Sequence, residues 1–64
     1  MTYSEIDRLV AGRRLPLSAE TDTGEWVIIE GGDDYYQLTT VQNNGWCRIN
    51  EFYEDGTITE TYER

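Results

Sequence analysis

Two turn dipeptides, Asn44-Gly45 and Asp55-Gly56, divide the C-terminal half of this chain into three short runs: Tyr35–Val41, Trp46–Tyr53 and Thr57–Glu63. The runs are rich in aromatic and β-branched residues, which favour strands. Asn, Asp and Gly tolerate the positive φ that tight hairpin turns require. The stretch therefore reads as an antiparallel meander, and the rest of the chain must fold against it.

With each dipeptide taken as a two-residue turn, the spacing fixes a register. Thr40 opposes Ile49, Leu38 opposes Glu51 and Tyr36 opposes Tyr53; beyond the second turn, Tyr53 opposes Ile58 and Ile49 opposes Tyr62. Opposed residues share a face. The expected core face is therefore Tyr36, Leu38, Cys47, Ile49, Tyr53, Ile58 and Tyr62. Tyr35, Gln37, Thr39, Val41, Trp46, Arg48, Asn50, Phe52, Thr59 and Thr61 fall on the other face. This register sets Glu51 against Glu60, an unfavourable pairing. A three-residue loop with Gly56 in a bulge separates them by slipping the pairing one residue, which scatters the apolar set over both faces. Full burial of an apolar side chain is worth about 1.5–3 kcal/mol, more than one exposed repulsion. Two-residue turns are the expectation.

Upstream, Glu25–Glu30 reads as a further strand, with β-branched Val27, Ile28 and Ile29. Gly31-Gly32-Asp33-Asp34 turns the chain and places Val27 and Ile29 on the core face with Tyr36 and Leu38. Trp26 and Ile28 fall opposite. The N-terminus reads as a helix over about residues 3–12. Thr2 and Glu5 have capping-box spacing, Met1 and Ile6 are placed for a hydrophobic staple, and Ile6, Leu9 and Val10 make the apolar stripe. Gly12 marks its end. Leu15-Pro16-Leu17 is an extended connection, and Ser18–Gly24 a polar loop or ragged edge strand. The expected fold is α+β: one domain over residues 1–64, a short helix packed on one face of a four-stranded antiparallel meander (about 25–30, 35–42, 46–53 and 57–63).

Sixty-four residues bury only a small core. No apolar run approaches the roughly 18 residues of a membrane span, and Cys47 has no partner for a disulfide. A cytoplasmic protein without membrane contact is the expectation. Histidine is absent, which removes the usual general base near neutral pH. One cysteine makes no zinc set, Asp33-Asp34 lacks calcium-loop spacing, and Gly31-Gly32 is not followed by a helix and a lysine as in a phosphate loop. Glu51 and Glu60 are a conceivable carboxylate pair, but so small a sheet offers no cleft to desolvate one of them. No enzymatic activity, metal or cofactor is expected.

Charge is the strongest compositional signal. Thirteen acids and five bases give −8, and lysine is absent. Residues 1–14 carry +1 and residues 15–64 carry −9. Such a body does not bind nucleic acid directly; it is drawn to basic protein surfaces. Two functions follow as expectations. The first is a small inhibitor of a basic, nucleic-acid-binding protein, with carboxylates in place of phosphates. By analogy of charge and size alone, it would act as phage-encoded anti-CRISPR and anti-restriction proteins do, in the host cytoplasm. Its candidate residues are turn and edge acids: Asp33, Asp34, Glu54, Asp55, Glu60 and Glu63, the first four gathered at the end of the meander away from Asn44-Gly45. The second is an adaptor or small subunit that binds through an aromatic sheet face carrying Trp26, Tyr35, Trp46 and Phe52, its acidity serving solubility. The charged edge strand 57–63 points to a monomer or weak dimer.

Overall fold

The computed structural model describes residues 1–64. One helix, α1 (Tyr3–Val10), precedes five strands: β1 (Leu17–Glu20), β2 (Trp26–Gly31), β3 (Tyr35–Val41), β4 (Cys47–Tyr53) and β5 (Ile58–Glu63). The strands form one antiparallel sheet in sequence order. The α+β class and the antiparallel meander hold, with five strands rather than four. The added strand is β1, in the segment expected to be a connection and a loop. Leu17 and Ala19 alternate onto the helix-bearing face opposite Ile29 and Val27, so pairing satisfies the free backbone edge of β2 and covers its apolar residues together. No helix is long and apolar enough to cross a membrane.

The cap of α1 forms as the sequence indicates. The Glu5 N–H donates to Thr2 Oγ1 at 3.3 Å, and the Thr2 hydroxyl donates to Glu5 Oε1 at 3.1 Å. The expected staple does not close, because Met1 is exposed while Ile6 is fully buried. Beyond Val10 the chain turns through Gly12 at φ 74°, and the Arg13 N–H donates to the Val10 carbonyl. The buried stripe is Ile6 and Val10, one helical turn apart, with Tyr3 flanking; Leu9, expected in the stripe, is exposed.

The expected register fails at β4. Both turns have three-residue loops: Gln42 pairs with Trp46 around Asn43-Asn44-Gly45, and Tyr53 pairs with Thr57 around Glu54-Asp55-Gly56. Only the glycines take positive φ, 89° at Gly45 and 96° at Gly56. Asn44 and Asp55 instead accept the N–H groups of Trp46 and Thr57 on their side chains, at 3.0 and 2.8 Å. A two-residue type I′ turn needs positive φ at both central residues; these local side-chain bonds favour a type I turn closed by a glycine bulge. Asp22-Thr23-Gly24, between the paired Thr21 and Glu25, repeats the backbone pattern with Gly24 at φ 85°, but here the Glu25 N–H donates to Thr21 Oγ1 at 3.2 Å.

Each slip alone moves the pairing by one residue, but two matching slips rotate β4 only. Tyr36 now pairs with Phe52, and Phe52 with Ile58. Phe52 thereby enters the core, and Cys47, Ile49 and Tyr53 move to the opposite face. Of the expected core-face set, Tyr36, Leu38, Ile58 and Tyr62 keep that face, because β5 keeps its expected phase relative to β3. Ile58 and Tyr62 lie beyond the helix, however, and stay exposed rather than buried. Glu51 faces Thr59 and Glu60 faces Asn50, so the repulsion between them is also relieved. The core is Ile6, Val10, Ile29 and Phe52, bordered by Tyr3, Leu15, Leu17, Val27, Tyr36 and Leu38.

Candidate acidic interface

The β2–β3 and β4–β5 turns lie side by side at one end of the sheet. A backbone hydrogen bond joins them, Glu54 N–H to the Asp34 carbonyl at 2.8 Å. This bond continues the β3–β4 ladder one step past Tyr35–Tyr53. It brings Asp33 and Asp34 beside Glu54 and Asp55, all exposed, and Asp34, Tyr53, Glu54 and Asp55 line one open depression. The expected gathering of these four acids is present. Asp55 is held in place by the Thr57 N–H, which lowers its carboxyl below the ordinary value.

The phenols beside this rim register its field. Tyr3, on α1, titrates above its ordinary value, chiefly through burial and then through the charges of Glu54, Asp7 and Asp34. Three acids on three separate elements therefore act on one point. Asp7 joins the cluster through the sheet as well: the Tyr36 hydroxyl donates to Asp7 Oδ1 at 2.6 Å, and this bond, with burial behind it, raises the Tyr36 phenol to about 12. Nothing in the sequence marks Asp7 for this cluster, because its place depends on how α1 lies across β3.

The helix-free face is the second feature. Its cross-strand rows run Glu20–Trp26–Val41–Cys47–Glu63, then Ser18–Ile28–Thr39–Ile49–Thr61, then Glu30–Gln37–Glu51–Thr59, and the pair Tyr35–Tyr53 closes it at the acidic rim. It contains four glutamates and no arginine, in a chain without lysine. The two tyrosine rings stack with centroids 5.3 Å apart. Glu51 Oε1 accepts from the Thr59 hydroxyl at 3.0 Å and the Tyr53 hydroxyl at 3.3 Å, so this carboxylate is oriented rather than free. The sequence marks Glu51 only as half of a pair with Glu60, because its face depends on the phase of β4.

The remaining candidates disperse. Glu60 lies on the helix-bearing face, where its carboxylate accepts from Asn50 Nδ2 at 3.2 Å. Glu63 lies on the helix-free face opposite Cys47, at the end far from the rim. Of the aromatic candidates, Phe52 is buried in the core, contrary to expectation, because β4 is rotated. Trp46 is covered on one side by the Arg64 guanidinium, 5.5 Å above its ring. Trp26 and Tyr35 remain on the helix-free face. Comparison of the chain with protein-family models, with curated proteins and with solved structures finds no match.

Proposed function

We propose that this chain is a non-enzymatic inhibitor that binds a basic, nucleic-acid-binding protein, its carboxylates standing where that protein meets phosphates. One observation carries the proposal: Asp33, Asp34, Glu54 and Asp55 are carried on two hairpin turns locked together by the Glu54–Asp34 backbone bond. Preorganisation matters, because ordering mobile side chains on binding costs affinity. A fixed patch of one charge sign also steers an oppositely charged groove over several ångströms. Its place of action is the cytoplasm, that of the host if the chain is phage-encoded, and it needs no cofactor. An adaptor that binds through aromatic side chains alone is less well supported, since Phe52 is in the core and Trp46 already stacks with Arg64.

The test is inhibition of DNA cleavage by RNA-guided and restriction nucleases, with the wild-type chain and the triple variant Asp33→Lys, Asp34→Lys, Glu54→Lys. Asp55 is spared because it holds its own turn. Inhibition by the wild type should weaken at least about tenfold as salt rises across the physiological range, since exposed charge contacts are screened. The folded triple variant should lose inhibition at low salt. Full inhibition by that variant would remove the rim from the mechanism.

A further inference from the structure

The helix-free face is unoccupied by any element of this chain. Trp26 and Val41 are exposed at 49% and 37%, with half-buried Ile28 and Ile49 beside them in the neighbouring row. Acids frame this apolar centre: Glu20 and Glu63 end its first row, and Glu30 and Glu51 lie toward the rim. Both arginines of the sheet region lie elsewhere, Arg48 opposite Tyr62 on the helix-bearing side and Arg64 over Trp46. We infer that the helix-free face is the docking surface, and that its occupant is a protein surface with an apolar centre ringed by lysine or arginine. This inference rests on the proposed basic partner and specifies its surface: neutral and apolar in the middle, cationic around it, with α1 pointing away from the contact.

Charge excludes a second copy of this chain from that role. Two such faces in apposition set four glutamates against four with no cation between them, a like-charge contact costing several kcal/mol. Area points the same way. Strands of this length, spaced about 4.8 Å apart, offer a face on the order of 500 Å², whereas a stable specific interface buries about 800 Å² per partner. The face alone is too small, and the rim must add to it. The stacked Tyr35–Tyr53 pair makes the two continuous, since the residues next in sequence, Asp34 and Glu54, are the bonded pair of the rim. One basic partner therefore spans both.

The experiment titrates the full ¹⁵N-labelled chain with two synthetic peptides of equal charge: one of lysine and glycine, the other of lysine and leucine. The lysine–glycine peptide should shift only the amides of the rim, around Asp34 and Glu54. The lysine–leucine peptide should also shift Ile28, Thr39 and Ile49, and bind about tenfold more tightly, the gain expected from partly burying two such side chains. Trp26→Ser and, separately, Ile28→Ser should each abolish most of that gain and leave binding of the lysine–glycine peptide unchanged. Trp26 is the safer variant for folding because it is already exposed. Equal affinity for the two peptides overturns the docking inference while leaving the basic partner intact. Shifts centred on Arg48, Asn50 and Tyr62 overturn it too, as does concentration-dependent dimerisation through Ile49. Failure of both peptides to bind at low salt removes the basic partner itself.

Discussion

The two faces of the sheet share the same strands and the same turns, yet one is a core and the other is a surface. On the helix-bearing face, Ile29 and Phe52 are sealed by Ile6 and Val10. On the other, residues of similar size, Ile28 and Ile49, stay half-buried with nothing above them. The charges also differ between the faces. Arg48 and Glu60 lie with the helix, whereas the charged residues of the helix-free face are four glutamates. Alternation along a strand makes such a division available to any half-covered sheet. Here a single backbone phase, that of β4, decides which aromatic is structural and which carboxylate is displayed.

The largest expected effect tests that phase directly. Phe52→Ala should cost about 3–5 kcal/mol, as removal of a buried phenylalanine does. A chain of this length has a total stability of only roughly 3–10 kcal/mol, so the variant should lose about a third or more of it. Ile49→Ala should cost about 1 kcal/mol, as for a partly covered side chain. Urea unfolding followed by tryptophan fluorescence measures both. Two-residue turns would reverse the order, with Ile49 the residue whose loss costs more.

A smaller effect separates two tyrosines. Tyr36 bonds across the core side to Asp7 on α1, whereas Tyr53 bonds within its own strand to Glu51. Both phenols are raised, Tyr36 to about 12, first through the hydrogen bond from its hydroxyl to Asp7; Tyr53 is raised chiefly by burial, then by the charge of Glu51. A phenol raised in the folded state favours folding while it is protonated. Its contribution is complete below the ordinary value of 10.0 and disappears as pH rises toward 12. Thermal stability should therefore fall between pH 10 and 12, and Tyr36→Phe should remove most of that slope. At neutral pH the same variant should cost about 1 kcal/mol, less than the roughly 1.5–3 kcal/mol of a shielded hydrogen bond to a charged acceptor, because the pair is exposed. Tyr53→Phe should cost less, since it detaches no element. Equal effects would mean that α1 is not held to the sheet through Asp7.

Much of this arrangement is legible in the sequence, and the part that is not has a definite cause. Thr2 and Glu5 announce the start of α1, and Gly12 its end. Val27 and Ile29 alternate against Trp26 and Ile28, and their faces follow from parity alone. The gathering of Asp33, Asp34, Glu54 and Asp55 survives the change of register because turn residues at one end of a meander stay together whichever way β4 is rotated. Faces within β4 depend on whether Asn44 and Asp55 take positive φ or bond to the N–H two residues on, and both are ordinary for these residue types. The repulsion that two-residue turns impose between Glu51 and Glu60 is the sequence's one signal for the slip. Its consequence for the apolar set is visible only when both turns slip together. Strand β1 is weakly marked because Leu17–Glu20 has little strand propensity of its own and pairs because β2 offers an edge.

The smallest effect compares adjacent glycines that face opposite ways. A methyl group at Gly31 would come within 2.9 Å of Leu15 Cδ1, on the helix-bearing face. At Gly32 it would collide with the Tyr35 ring, which lies across that glycine on the helix-free face. Neither glycine has positive φ, so alanine is allowed by the backbone and gains about 0.4–1 kcal/mol by restricting the unfolded chain. Leu15 packs against the core and has little room to yield, and overpacking there costs about 1–3 kcal/mol. Gly31→Ala should therefore lower the unfolding free energy obtained from urea titration by a net of about 1 kcal/mol. Tyr35 has open solvent to swing into, and its stack with Tyr53 is worth about 0.5–1.5 kcal/mol. Gly32→Ala should leave stability within about 0.5 kcal/mol of wild type, but it should change the near-ultraviolet dichroism of the tyrosines as the stack opens. A greater loss at Gly32 than at Gly31 would show that the helix-free face is packed as firmly as the core. Tyr35 would then be fixed in place, and the face would lack the open surface on which a partner could dock.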